Sequence, residues 1–248
     1  MSGGMYLAAA GALVQQLRLE VLANNVANIS TIGYKGDQSV FQIPEDAESQ
    51  TFETSIEGIQ SLSPYAPPFA TVIDFSQGAI RQTGNPLDVA INGDGFFSIQ
   101  TPDGAQYTRQ GHFTLDNNGV LITSDGYPVL GEGGEITVEE GTVEIDLQGG
   151  VYLDGEEVGR LQITDFSNTE TLQKTGNGRF IGSDDTIVGE RPDNTTLSQG
   201  YLETANVNPV RAMTEMIETS RAFEAYQKVI QSADEATSKS INDVGKTI

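Results

Sequence analysis

The 248-residue chain has no cysteine, no tryptophan, one histidine, and only 13 basic residues against 35 acids. Without cysteine there is no disulfide scaffold, no thiolate zinc site and no cysteine nucleophile. With so few bases there is no basic stripe to hold a phosphate backbone, which argues against nucleic-acid binding. No charge precedes Arg18, so the basic start of a cleaved secretory signal is missing. The same stretch holds Ser2, Gln15, Gln16 and three glycines, too short and polar for a membrane span. Arg18 alone is too little charge for an interfacial helix. The expectation is a chain that does not insert into membranes and that, if exported, uses a route other than a general signal.

Candidate catalytic groups are equally scarce. His112 stands between Gly111 and Phe113, which supply no partner for a triad or a metal, and it reads as a strand-face residue. The acidic turns Asp116-Asn-Asn-Gly119 and Asp184-Asp185 lack EF-hand spacing and read as solvated turns. A glycosidase-like carboxylate pair has no discriminating power among 35 acids. No catalytic, cofactor or metal residue is therefore assigned.

What is present is distributed unevenly. The net charge of -22 lies almost wholly in residues 43–198, where 26 acids face 6 bases. Residues 1–42 balance, with Arg18 and Lys35 against Glu20 and Asp37, and residues 199–248 hold 5 bases against 7 acids. The middle is thus a solvated acidic body, and the ends are nearly neutral segments suited to burial against partners.

Both ends also read as helices. Tyr6, Ala10, Leu13, Leu17 and Val21 recur at helical spacing, with Ala8-Ala9-Ala10 favouring the helix and Gly11 weakening it by about 1 kcal/mol. Asn24, Asn25 and Asn28 gather where this helix must end. They cap the helix, or form a polar ladder that fixes register against a neighbour. Gly33 then permits a positive φ. At the other end, Asn208 is a good N-cap with Pro209 at the first helical position. Met216, Phe223, Ile230, Thr237 and Val244 lie seven apart, with Thr219, Tyr226 and Ala233 completing an a/d seam as far as Gly245. A helix of that length is about 55 Å long, more than a β domain of this size covers.

Between the ends, residues 34–75 lack a period and contain Pro44, Pro64, Pro67 and Pro68, which suits an extended connector. From there, short β-forming runs alternate with Asn-Gly and Asp-Gly turns. Strands are expected at Asp88–Ile91, Phe96–Gln100, Gln106–Gln110, His112–Asp116 and Val120–Thr123. Others are expected at Glu135–Val138, Val143–Leu147, Val151–Asp154, Val158–Phe166 and Arg179–Ile181. Runs of this length and spacing describe an antiparallel β domain rather than an α/β enzyme.

Leu22-Ala-Asn-Asn-Val-Ala-Asn-Ile-Ser-Thr-Ile-Gly-Tyr-Lys35 resembles the N-terminal signature of the bacterial flagellar rod and hook axial proteins. Gly84-Asn-Pro-Leu-Asp-Val-Ala-Ile-Asn-Gly-Asp-Gly-Phe-Phe97, with Tyr107-Thr-Arg109, is similar to that family's β-domain core. Tyr201-Leu-Glu-Thr-Ala-Asn-Val-Asn-Pro209 and Met216-Ile-Glu-Thr-Ser-Arg-Ala-Phe223 resemble the start of its C-terminal helix. Within the family, the short length, the run Gly155-Glu-Glu-Val-Gly-Arg-Leu-Gln-Ile-Thr-Asp-Phe166 and the ending Ile230–Gly245 are most like proximal rod members. Distal rod members come next and hook proteins last.

The resemblance implies a rod subunit of the basal body, exported through the flagellar type III apparatus and placed in the shaft that crosses the periplasm. It implies terminal helices packed in an inner layer with the β domain outside. The expected organisation is a mainly β fold with terminal α-helices. Residues 1–33 and 199–248 form a coiled-coil-like helical domain, 34–75 a connector and 76–198 an antiparallel β domain. The expected partners are copies of the chain, other rod proteins and the export apparatus. The expected assembly interface is Leu13, Leu17, Val21, Asn24, Asn25, Asn28, Met216, Phe223, Tyr226 and Ile230, with no enzymatic activity. A periplasmic cell-wall hydrolase and a transient rod cap are the competing classes.

Overall fold

The computed structural model describes residues 3–41, 69–139, 141–182, 188–189, 192 and 194–245. Most of the expected connector and the Asp184-Asp185 turn lie outside the described residues. The chain divides into two compact units: Met1–Ala27, Asp37–Val72 and Asn208–Ile248 form one, and Asn28–Gly36 with Ile73–Val207 form the other.

The first unit is built on two helices, α1 (Gly3–Ala27) and α2 (Pro209–Gly245), which pack on each other. Helix α2 starts where the cap signal places it. The Asn208 side-chain oxygen accepts the Arg211 N–H at 3.1 Å, and its carbonyl accepts the Ala212 N–H at 2.9 Å. Strands β1 (Asp37–Phe41) and β2 (Phe69–Ile73) pair as a two-stranded ribbon.

The second unit is β apart from one short 3-10 turn, Thr169–Thr171. Its first strands are β3 (Ile80–Gln82), β4 (Val89–Asn92), β5 (Phe96–Thr101), β6 (Gly104–Thr108), β7 (Phe113–Leu115) and β8 (Leu121–Thr123). Then come β9 (Leu130–Gly131), β10 (Gly134–Glu135), β11 (Val143–Ile145), β12 (Gly150–Leu153), β13 (Glu156–Arg160) and β14 (Ile163–Phe166). The last are β15 (Leu172–Gly176), β16 (Arg179–Gly182), β17 (Val188–Gly189), β18 (Thr196–Gln199) and β19 (Tyr201–Glu203). The largest sheet has the order β15-β16-β6-β5-β14-β17, and β11-β12-β13 form a second. Every pairing in this unit is antiparallel, as the turn-punctuated sequence predicts.

Strand β5 shows how the cores form. Successive side chains point to opposite faces. Phe97 and Ile99 enter the main core with Val89, Ile91, Phe113 and Leu121. Phe96 enters a second cluster with Phe166, Leu172 and Phe180, where its ring meets Phe75 edge-on at 5.6 Å. A strand buried on both faces reads as a continuous apolar run, which is why Phe96–Ile99 shows little alternation.

Two hairpins carry the local turn chemistry. Asp154 (φ 51°) and Gly155 (φ 92°) join β12 to β13, and Asn177 (φ 49°) and Gly178 (φ 67°) join β15 to β16. Two successive positive-φ residues are the mark of the turn that matches strand twist. The single strand expected over Val158–Phe166 is two. Residues to Arg160 pair with β12, whereas Ile163 and Thr164 pair with β5, so one apolar run serves two sheets. Of the strand expected at Glu135–Val138, only Glu135 lies in a strand, β10, while Thr137 makes an isolated bridge to Val120.

Candidate assembly interface and the charges at its roots

The buried side chains of the helix pair include several small ones. On α1, Ala8, Ala12, Val14 and Leu22 are buried, while Leu13, Leu17 and Val21 are half-buried. At about 100° per residue, Leu13, Leu17 and Val21 lie across the helix from Ala8, Ala12 and Leu22. A Cβ added to Gly11 would stand 2.6 Å from the Tyr226 ring. Gly11 is therefore the seat of Tyr226 as well as a weak helix former, and a side chain there would displace the ring.

On α2 the expected a/d seam is the least exposed face. Ala212 and Thr219 are buried, and Met216, Phe223, Tyr226, Ile230 and Ala233 are half-buried. The Thr219 hydroxyl donates to the Glu215 carbonyl at 2.7 Å, which satisfies the one polar group on the seam's buried stretch. The cover ends there. Residues 234–239, including Thr237, are all exposed, and no side chain of Val244 is described. On its far side α2 presents Val210, Met213 and Ile217 to solvent, at 74%, 52% and 55% exposure. With Tyr6 and Leu7 also exposed on α1, this unit carries more apolar surface than its own two helices cover.

The three asparagines part company. Asn25 is buried, and its side chain donates to the Asp37 carbonyl at 2.7 Å and accepts the Asp37 N–H at 2.8 Å. Its carboxamide thus acts as a strand neighbour for the first residue of β1. Asn28 shapes the exit turn, accepting the Thr31 N–H at 3.0 Å and the Thr31 hydroxyl at 3.3 Å. Asn24 is exposed.

The stretches of the β unit next to these helices in sequence hold a buried charge cluster that composition and periodicity do not reveal. The Glu203 carboxylate, 1% exposed, meets Lys35 Nζ at 2.7 Å and Arg109 Nη1 at 3.3 Å, and it accepts the Gly78 N–H at 2.8 Å. Lys35 Nζ also donates to the Ser76 carbonyl at 2.8 Å. Arg109 Nη2 donates to the Gly93 carbonyl at 2.8 Å, and its guanidinium lies over the Phe96 ring. Burial lowers the pKa of both Lys35 and Arg109, and Glu203 opposes that shift in each. The backbones interlock too. The Gly33 N–H donates to the Glu203 carbonyl at 2.8 Å, and Asn206 Oδ1 accepts the Gly36 N–H at 2.7 Å. Gly33 has φ 64°, as expected, and an added Cβ would meet the Arg109 backbone at 2.5 Å.

His112 does have a partner. Its Nδ1 lies 2.6 Å from Asp88 Oδ1, which also accepts from Asn85 Nδ2 at 3.0 Å. Sequence neighbours did not suggest this pair because a β-bridge brings the two residues together from 24 positions apart. The Asp116 turn is occupied by its own backbone: Asp116 Oδ1 accepts the N–H groups of Asn118 and Val120, both at 2.8 Å, which lower its pKa. Among the described residues, no group of three or more His, Asp or Glu could hold a metal, and no helix is long and apolar enough to cross a membrane.

The geometry is that of a helix pair with apolar faces on both sides, joined in sequence to a self-contained β unit. Residues 5–35 match the family described as flagella basal body rod protein. Residues 90–153 match the flagellar hook protein FlgE/F/G D1 domain, and 198–243 the flagellar basal body rod FlgEFG protein C-terminal region. The chain is 30% identical over 249 residues to the flagellar basal-body rod protein FlgF of Caulobacter vibrioides, covering 99% of each chain. It is 33% identical over 261 residues to FlgG of Buchnera aphidicola subsp. Schizaphis graminum, covering 96% of this chain and 98% of that one. It is 34% identical over 267 residues to FlgG of Bacillus subtilis, covering 98% and 99%. Matched from end to end by such relatives, the chain belongs to the flagellar basal-body rod protein family.

Proposed function

We propose that this chain is a structural, non-enzymatic subunit of the flagellar basal-body rod, stacked through its terminal helices on copies of itself and on other rod proteins. The observation that carries the reading is the doubled apolar surface of the helix unit. Ala8, Gly11 and Ala12 lie on one side of α1, with Leu13, Leu17 and Val21 across from them, and α2 holds Val210, Met213 and Ile217 outside its seam. A helix apolar all round is a helix meant to be buried on all sides. The two outward stripes differ from each other, so contact between them is heterologous and can repeat without closing. Nearly neutral ends flanking an acidic middle fit the same arrangement. Delivery by the flagellar type III export apparatus belongs to this reading.

The proximal, FlgF-like position is favoured by length. The alignment to Caulobacter FlgF runs 249 positions for a chain of 248, whereas the two FlgG alignments need 261 and 267.

The test uses Tyr6→Asp and Ile217→Asp, which alter solvent-exposed apolar positions (49% and 55% exposed) and should leave the monomer's circular dichroism unchanged. Incorporation into isolated basal bodies should fall about tenfold or more for each, since a buried unpaired carboxylate costs several kcal/mol. Incorporation of both variants at the parent level would overturn assembly through these faces. Phe223→Asp should abolish assembly by breaking the pair itself while the β unit still unfolds cooperatively.

A further inference from the structure

We propose that residues 196–206 are the closing segment of the β unit, with the Glu203 carboxylate as the latch that fixes residues 33–36 and Arg109. Three elements from the first part of the chain find their partners in this late segment. Strand β3 pairs with β19, and β4 pairs with β18. Residues 33–36 meet Glu203 and Asn206 through the Gly33 and Gly36 N–H groups and through the Asn206 N–H, which donates to the Tyr34 carbonyl at 3.2 Å. Leu197 and Leu202 are buried with them.

Two physical effects make this closure late. The Lys35–Glu203 contact spans 168 residues and the Arg109–Glu203 contact 94, so loop-closure entropy must be met before either bond forms. Charge adds a stronger condition. Lys35 and Arg109 repel each other, and Glu203 is the carboxylate that bonds both. Asp74 also attracts the Lys35 charge, and Asp94 and Asp165 that of Arg109, each less strongly than Glu203 does. Burying two cations before that carboxylate arrives is strongly unfavourable, so the site stays hydrated and open. Arg109 Nε is buried without an acceptor even in the closed form, which leaves little margin for losing another partner. A chain that emerges N-terminus first, from a ribosome or through a pore, therefore leaves the β3–β19 and β4–β18 ladders and the links from residues 33–36 to Glu203 and Asn206 unformed until about residue 206 is out. This conclusion does not depend on the rod reading.

Pulse-labelled hydrogen exchange during refolding of the full chain tests the order. Peptides covering 31–36, 79–92 and 196–206 should gain protection together, and after those covering 96–123 and 143–160. Protection of 31–36 or 79–92 no later than 96–123 would overturn the proposal. At equilibrium, Glu203→Gln should raise exchange in the same three regions about tenfold or more, with less than about threefold change in 143–160. If that variant does not fold, Lys35→Met, which keeps the aliphatic stem, should raise exchange in the same regions by a smaller factor. A rise confined to 201–206, or one of equal size throughout the unit, would overturn the latch.

Discussion

In the β unit the bulkiest side chains are the most deeply buried, with Phe97, Phe113 and Phe180 all at 0% exposure. In the helix unit the order is reversed. Its buried side chains are mostly small, Ala8, Ala12, Ala212 and Thr219 among them, while Leu7, Val210, Met213 and Ile217 lie in solvent. The difference teaches what each unit is for. A region that buries its large residues internally has spent its hydrophobic driving force on its own fold. A region that packs on alanine and glycine and leaves leucine and methionine outside has apolar surface left over, which the proposed assembly would bury.

The sharpest break in this comparison is a cavity in the β unit. Phe97 stacks edge-on against Phe113 at 5.1 Å, and Phe97→Ala should cost about 3–5 kcal/mol, read as a lower urea midpoint with the slope retained. A loss under about 1 kcal/mol would mean the β unit is not the closely packed partner of the pair.

Next in size is the helix seam. Gly11→Ala gains about 1 kcal/mol of helix propensity but drives a methyl into Tyr226, and the clash should win by about 1–3 kcal/mol in thermal melts at 222 nm. In a Tyr226→Ala background the same substitution should become stabilising. If it stabilises in both backgrounds, the seam is not size-limited.

Asn25→Ala removes both hydrogen bonds to Asp37 and should cost about 1–2 kcal/mol, with faster exchange confined to β1 and the end of α1. An unchanged Asp37 amide would show that the carboxamide is dispensable to β1.

The smallest effect is a pH dependence in the β unit. The Asp116 carboxylate is favoured by amide hydrogen bonds in the folded turn, so its folded pKa lies below the ordinary 3.8. For a carboxylate lowered in this way, the contribution is complete above the ordinary carboxylate range and is lost as pH falls through the folded pKa. The Asn118 and Val120 amide shifts should titrate with the Asp116 carboxyl at a midpoint under 3.8. A midpoint above it would remove the turn from the comparison.

Local chemistry was legible from the residues alone. The Asn208-Pro209 start of α2, its seven-residue seam, the positive φ of Gly33 and the Asp154-Gly155 turn each depend on a few neighbouring residues. What depends on distant partners was hidden. Nothing near Glu203 announces two cations 94 and 168 positions away, and nothing near His112 announces Asp88. The face of α1 is a different case. Its apolar residues repeat helically on both sides, and a reading weighted by side-chain size selects Leu13, Leu17 and Val21. Close helix packing instead buries Ala8 and Ala12, and beside them Gly11 leaves room for the ring of Tyr226. Propensity treats Gly11 as a fault, since propensity counts one helix at a time.

The Tyr226 ring resting on Gly11 also sets a dimension. At this point α1 and α2 are held apart by an aromatic ring lying against bare backbone. A shaft built by repeating this subunit would copy that spacing into every copy, so an error there would accumulate around the shaft and along it. In the proposed rod, a single hydrogen atom where other residues carry a carbon would serve as a machining tolerance for the whole assembly.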